Sequence, residues 1–426
     1  MITWVRIDEN GNWRSFRHRN YRILFSANAL SNIGSWAQRI AQDWLVLELT
    51  NNNAYYLGLV TAIQFAPFLI FTLHGGLLAD RVDKRLLLVL TNTFGGLSAL
   101  VLGVLVVSGD IELWHVFACA AVLGISGAID NPVRQSFNAE IVGPVDLANA
   151  ISLSSANFNA GRLIGPAVSG FLIAHFGTGP SFLINASSYV TVNIALLSLR
   201  KSEFFIHEFK KTQGTLREGF AYARARPDLY VVMIAVFFAS TFGLNFQIFN
   251  ALMARGEFLK GPASFGLLGT YIGIGSLIAA LVSARFENQR NTMFVIKTGT
   301  IFSLSILLLS MMPTFEIYAA WLPLCGFFAL TMLISANSLM QMHSDPAIRG
   351  RVMGIYLFVF MSGTPFGSVG IGYLVEAIGV RESVAICGGI SLIGMVAIWM
   401  YYKDKVKVPN DISVEGVLPP SYDYPR

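Results

Sequence analysis

Arg39, Asp43, Asp130, Arg134, Arg162 and Lys297 all fall in or at the ends of otherwise apolar stretches. Charge in a hydrocarbon setting is costly, so each of these residues is a candidate for function. Arg39 and Asp43 are four residues apart and share a helix face, and so do Asp130 and Arg134. A carboxylate beside a guanidinium can trade its proton for a substrate or for the partner cation. Asp43 and Asp130 are therefore candidate proton carriers. Arg39 lies about 27 Å along a helix from Tyr21, toward the outer half of its span. The competing reading of both four-residue pairs is local structural ion pairing. No enzyme constellation is present. The six histidines, His18, His74, His115, His175, His207 and His343, show no metal-ligand spacing. The sequence implies no metal and no cofactor. There is no G-x-x-x-x-G-K-[ST] run, which excludes ATP drive through a P-loop in this chain.

The elements that must position these residues are apolar and long. Twelve stretches between residues 21 and 402 each approach the roughly 20 residues a bilayer span needs. The fourth and fifth run over 113–138 and 149–175. The chain is 54% hydrophobic and 13% charged, with a mean hydropathy of +0.58. Of the Lys and Arg residues between spans, 24 fall on one side and only Arg255, Lys260 and Arg381 on the other. That asymmetry puts both termini in the cytoplasm. The net charge of +5 is spread over successive loops and suits lipid headgroups rather than nucleic acid. Cys119, Cys325 and Cys387 lie within apolar spans and read as small core residues. The polar N-terminus, with Arg14, Arg17 and Arg19 before the first span, suits a retained helix rather than a cleaved signal.

These features divide the chain into five parts. Residues 1–20 are a cytoplasmic N-terminal segment, and 21–199 and 229–402 are six-helix bundles. Residues 200–228 form a cytoplasmic linker, part of which reads as an amphipathic helix around Leu216, Phe220 and Tyr222. Residues 403–426, with four prolines and no apolar periodicity, read as a disordered tail. The two bundles repeat. Gly161, Gly165, Gly170 and Gly177 match Gly363, Gly367, Gly372 and Gly379 with identical spacing. Asn131 and Gln135 match Asn337 and Gln341. The fold class expected is all-α, with twelve transmembrane helices in two pseudo-symmetric bundles and a site near the midplane.

Between the second and third spans the chain reads Gly76-Leu-Leu-Ala-Asp80-Arg81-Val-Asp83-Lys84-Arg85. This resembles the G-x-L-A-D-R-x-G-R-K/R motif of the major facilitator superfamily, with Asp83 where the motif has glycine. In span 5, Gly161-x-x-x-Gly165-Pro166-x-x-Ser169-Gly170 resembles that superfamily's antiporter motif. Four segments narrow the resemblance: 35–46, 130–137, 157–170 and 349–354. They look like the bacterial branch that includes the enterobactin exporter and the transmembrane secretion effectors.

The resemblance implies gating roles for Gly76, Asp80, Arg81 and Arg134, with Asp80 facing the start of span 11 near Arg351. It implies that the small-residue face of Gly161, Gly165, Pro166 and Gly170 packs on span 8 or 11 when the outer side closes. It also places spans 1, 2, 4 and 5 on a central cavity. Asp130 and Arg162 then differ in depth by roughly 8 Å, which suggests Asp130 paired with Arg162 and Arg134 near Asp80. Arg39 and Arg162 join the proton-coupling candidates, and Lys297 snorkels to the inner surface. Trp36, Gln64, Asn245, Gln247, Asn337 and Gln341 are the substrate-cavity candidates.

The function implied is proton-coupled export of a small amphipathic organic molecule, drug or siderophore in type, by a monomer in the cytoplasmic membrane. Its partners are the substrate, the proton and membrane lipid. Two alternatives stay open. One is an uptake symporter on the same fold, and the other is a membrane scaffold or sensor that transports nothing.

Overall fold

The computed structural model describes residues 11, 13–79, 82–205, 216–283, 285, 290–345 and 348–405. All regular structure among them is helical. The helices are α1 (Arg19–Leu49), α2 (Ala54–Ala79), α3 (Lys84–Ser108), α4 (Leu113–Phe176), α5 (Gly179–Ser198), α6 (Leu216–Ala225) and α7 (Pro227–Phe238). They continue as α8 (Phe246–Leu252), α9 (Pro262–Val282), α10 (Thr292–Leu309), α11 (Phe315–Met342), α12 (Arg349–Ile378) and α13 (Val380–Lys405). Residues 406–426, and with them nearly all of the expected disordered tail, lie outside the described residues, as do 1–10 of the N-terminal segment.

Ten helical segments among the described residues are long and apolar enough to cross a membrane. Helix α1 is not one of them, although it has 31 residues. Its polar side chains explain this. Gln38, Gln42 and Asp43 are only 2–3% exposed, so α1 turns its polarity inward, where hydropathy cannot see it. Helix α4 has 64 residues and would measure about 96 Å if straight, three times a bilayer's hydrocarbon core of about 30 Å. It breaks at Gly143, where φ is 71° and ψ 174°, and Pro144 follows. A residue with a Cβ disfavours that conformation, so the sequence places the break between the two expected spans.

The chain forms two compact units. Unit 1 comprises 1–210 and 250–273, and unit 2 comprises 211–249 and 274–426. The internal repeat is visible within each. In unit 1, a Cβ on Gly161 would meet Asn32 at 2.9 Å, and one on Gly165 would meet Trp36 at 2.5 Å. In unit 2, Gly363 and Gly367 abut Ser240 and Thr241 in the π-turn that follows α7. Each glycine pair thus lets the fifth or eleventh span lie against the first or seventh. Gly177 and Gly379 end those spans with φ of 78° and 97°.

Polar clusters tie the helix bases. In unit 1, Asp146 is fully buried and receives Arg17 at 2.8 Å, His18 at 2.7 Å and Arg14 at 3.3 Å. These residues belong to the 3₁₀ turn Arg14–Arg17 and its C-cap. In unit 2, Asp228 receives Arg226 at 2.9 Å and His343 at 3.0 Å. The amphipathic helix expected in the linker is α6. It buries Tyr222 and leaves Phe220 51% exposed. It docks on α12 through the Glu218–Arg351 ion pair and the close approach of Gly219 to Arg351 and Ile355.

Candidate functional site

Unit 1 contains a cavity of about 720 Å³ between α1, α3, both arms of α4 and α5. Asp130 and Arg134 line it together. Arg134 grips Asp130 with two parallel bonds, Nε to Oδ2 at 2.7 Å and Nη2 to Oδ1 at 2.9 Å. A fork of this kind is among the stronger charge-assisted contacts. Oδ1 also accepts from Thr91 Oγ1 at 2.9 Å and Asn92 Nδ2 at 3.2 Å. The remaining end of the guanidinium donates from Nη1 to Asn28 Oδ1 at 2.7 Å. Both charged side chains are about one-fifth exposed, 22% for Arg134 and 17% for Asp130, so water reaches the pair. This corrects the expected Asp130–Arg162 pairing. Four-residue spacing on one helix face brings Arg134 directly onto Asp130, and Thr91 and Asn92 both donate to Oδ1.

Arg162 lies elsewhere. Its Cζ stands 5.9 Å from the centre of the Trp36 ring, and Arg39 Cζ stands 5.5 Å from the same centre. Arg39 also lies over Phe65 at 4.6 Å, and Trp36 meets Phe158 edge-on at 5.6 Å. Cation–π contacts give about 0.5–2 kcal/mol each, more when desolvated. Asp43, only 3% exposed, stands one helical turn from Arg39 on α1. Two of the expected proton-coupling residues are thus gathered around one indole ring, apart from the Asp130 carboxylate.

A family model described as "Transmembrane secretion effector" matches residues 10–420. The chain belongs to this family, a branch of the major facilitator superfamily. Among curated relatives, the Staphyloferrin A transporter of Staphylococcus aureus is 25% identical over 398 residues, covering 93% of this chain and 99% of that protein. The multidrug efflux pump Tap of Mycolicibacterium fortuitum is 25% identical, covering 89% and 94%. The enterobactin exporter EntS of Shigella flexneri is 21% identical, covering 89% and 91%. The fold is shared with solved structures such as a bacterial homologue of the lysosomal transporter Spinster, with TM-score 0.72, 14% identity and coverage of 91% and 98%. A D-xylose–proton symporter gives TM-score 0.70 at 14% identity, covering 90% and 97%. The protein is a membrane transporter and not an enzyme.

The superfamily's motif loop is described in part. Gly76 lies in α2, while Asp80 and Arg81 lie outside the described residues. Asp83, the departure from the motif, is the N-cap of α3 and accepts from the backbone N–H of Arg85 and Leu86. Partial burial works against its ionisation. The bond from Lys201 at 3.1 Å and the two backbone N–H groups outweigh that and hold its carboxyl below the ordinary carboxylate value. Lys84 pairs with Glu140, and Arg85 donates to the Leu197 carbonyl. Arg134 is committed to Asp130 and Asn28, and Arg351 pairs with Glu218.

The small-residue face of span 5 divides. Gly161 and Gly165 meet α1, which corrects the expectation that the whole face packs on span 8 or 11. The reason is its length: only the later turns reach past α1. There Pro166 and Gly170 lie against Gly266 and Gly269 of α9. Thr270 Oγ1 donates to the Leu163 carbonyl at 3.2 Å on the same interface.

Among the substrate-cavity candidates, Gln64 accepts from Gln42 Nε2 at 3.0 Å. Asn337 accepts from Gln341 at 2.5 Å within α11. Gln247 is partly buried in α8. Asn245 is only 4% exposed and donates to the Thr241 carbonyl at 2.8 Å. It is occupied in closing the π-turn, whose i+5 pattern leaves such carbonyls to side chains. Asn28, Asn32, Thr91, Asn92 and Asn138 line the unit 1 cavity and were missed. The available signal was polar residues at i, i+4 in span 1, Asn28 and Asn32, and at the start of span 3.

Proposed function

We propose that this chain exports small amphipathic organic molecules of drug or siderophore type in exchange for protons, by alternating access. It works as a monomer in the cytoplasmic membrane with both termini inside. Twelve helices form two bundles, residues 21–199 and 229–402, joined by the linker 200–228. The ten apolar segments become twelve when α1 is added and α4 is counted as two arms about Gly143.

One observation carries the reading. Unit 1 holds the forked Asp130–Arg134 pair in a water-accessible cavity. The repeat-equivalent positions in unit 2 are Ala336 and Met340, both fully buried. A structural brace needed by both halves would be expected in both. A proton on Asp130 removes the negative charge that accepts the Arg134 fork and weakens every bond made to that carboxylate. A cationic or hydrogen-bond-donating group of a substrate in the cavity would compete with the proton for the same carboxylate. Proton binding and substrate binding thereby exclude each other, which is the requirement of antiport. The face carrying Pro166 and Gly170 would slide on α9 as the outer side opens, and Gly76, Asp80 and Arg81 would brace the inner side. Relatives named as an exporter and an efflux pump favour the outward direction over uptake.

The test uses purified full-length protein in liposomes under an imposed pH gradient. The probes are ethidium, an amphipathic cation, and 2-naphthalenesulfonate, an amphipathic anion. Concentration of either against its gradient, abolished by dissipating the pH difference, supports the reading. Failure to move both rejects it.

A further inference from the structure

Two guanidiniums stand one helical turn from residues that line the unit 1 cavity. Ser35 on α1 and Phe158 on α4 line the cavity. Arg39 and Arg162 stand four residues beyond them on the same helices, so they continue the same faces one turn further. Both guanidiniums flank one indole, at 5.5 Å and 5.9 Å from its centre. They are therefore no more than about 11 Å apart.

The site's charges do not cancel. Asp130 is occupied by Arg134, Thr91 and Asn92. Asp43 is the carboxylate one helical turn from Arg39 on α1. Two cations thus face one countercharge. Neither Arg39 nor Arg162 donates a hydrogen bond to a described residue, although each guanidinium carries five N–H donors. Trp36 and Phe65 lie against Arg39, and Trp36 lies against Arg162, without spending those donors. Both side chains are half-buried, and a cation with unspent donors in an apolar span is costly unless an anion visits.

We propose that Arg39, Trp36 and Arg162 form the headgroup site for an organic anion. A carboxylate or sulfonate would dock on the two guanidinium forks, and an aromatic or apolar body would lie along Trp36 and Phe158 into the cavity. This names the substrate class within the transport reading and rests on it, with Arg39 and Arg162 assigned to substrate rather than to the proton. Arg rather than Lys suits the task, because its planar fork matches a planar or trigonal oxyanion.

The experiment is calorimetric titration of the full-length protein in detergent, with no gradient present. The ligands are 2-naphthalenesulfonate and its uncharged isostere 2-naphthalenesulfonamide. The sulfonate should bind at least about tenfold more tightly. Arg162→Gln should bring the two within roughly twofold of each other, by weakening the sulfonate alone. Arg162→Lys, which keeps the charge and protects against a folding failure, should lose part of the preference. Thermal melting shows which variants are folded. Equal binding of the two ligands by the wild type overturns the proposal, and so does a preference that survives in a folded Arg162→Gln or stays undiminished in Arg162→Lys. The transport reading fails differently. A sulfonate preference that disappears in Arg162→Gln, together with no gradient-driven flux of either probe, upholds the anion site and removes the exporter.

Discussion

Gly165→Ala tests whether the small-residue face of span 5 is an interface within a bundle. A Cβ at Gly165 would lie 2.5 Å from the Trp36 Cβ, 2.9 Å from the Ile33 carbonyl oxygen and 3.1 Å from the Ala37 nitrogen. None of these atoms can rotate away, since two are backbone and the third is a Cβ. Carbon–carbon contact needs about 3.5 Å or more, so α1 and α4 must separate by several tenths of an ångström along their contact. Overpacking of this kind costs about 1–3 kcal/mol. Alanine's better helix propensity returns up to about 1 kcal/mol. The net expectation is a loss of about 1–2 kcal/mol, read as a lower melting temperature in detergent. Gly370→Ala in α12 is the control, because a Cβ there meets nothing within 4 Å; it should be neutral or slightly stabilising. A Gly165→Ala protein that melts at or above the parental temperature refutes the packing argument. Normal stability with lost transport would place the effect in a moving interface instead.

Asp83→Ala removes the N-cap of α3 and should cost about 0.5–1 kcal/mol, toward the low end for an exposed, salt-screened site. Because the folded carboxyl titrates below its unfolded value, its contribution is present above the ordinary carboxylate range and fades as pH falls through the folded value. The melting difference from wild type should therefore shrink in acid, and a constant or growing difference would contradict this. Asp146→Asn removes the fully buried charge that holds Arg14, Arg17 and His18, with an expected loss of about 1–3 kcal/mol. Faster proteolysis within the first twenty residues would accompany it, and an unchanged cleavage rate would show that the 3₁₀ turn is held by other contacts.

The helices were legible because apolar length and cation placement are direct consequences of the bilayer. The repeat was legible because Gly161 and Gly165, like Gly363 and Gly367, must recur wherever two helix backbones come close. The Gly143–Pro144 break agrees with the gap between the expected fourth and fifth spans. Partner choice was not legible. Arg134 and Arg162 are both within a long side chain's reach of Asp130 in a one-dimensional reading, and helix rotation decides between them. Asn245 looked like a cavity residue because a π-turn leaves no periodic trace in sequence. Asp83 looked like a defect in the loop motif, and only the α3 cap reveals its use. The cavity's asparagines and Thr91 were hidden because polar residues in a mostly apolar span carry no sign of which way they face.

The central claim is that Asp130 carries the coupling proton, and the most direct measurement is pH-driven accumulation by Asp130→Asn in proteoliposomes. The substitution keeps side-chain volume and can still accept from Thr91 and Arg134. It leaves Arg134 without its countercharge, so thermal melting must first show a folded protein. Ethidium and 2-naphthalenesulfonate serve as probes, with wild-type protein alongside. The account predicts that wild type concentrates at least one probe under a pH difference alone. The folded variant should fail to concentrate it while still exchanging it down its own gradient. A folded Asp130→Asn protein that still drives the probe uphill on the pH difference would contradict the account, and Asp43 would become the carboxylate to test.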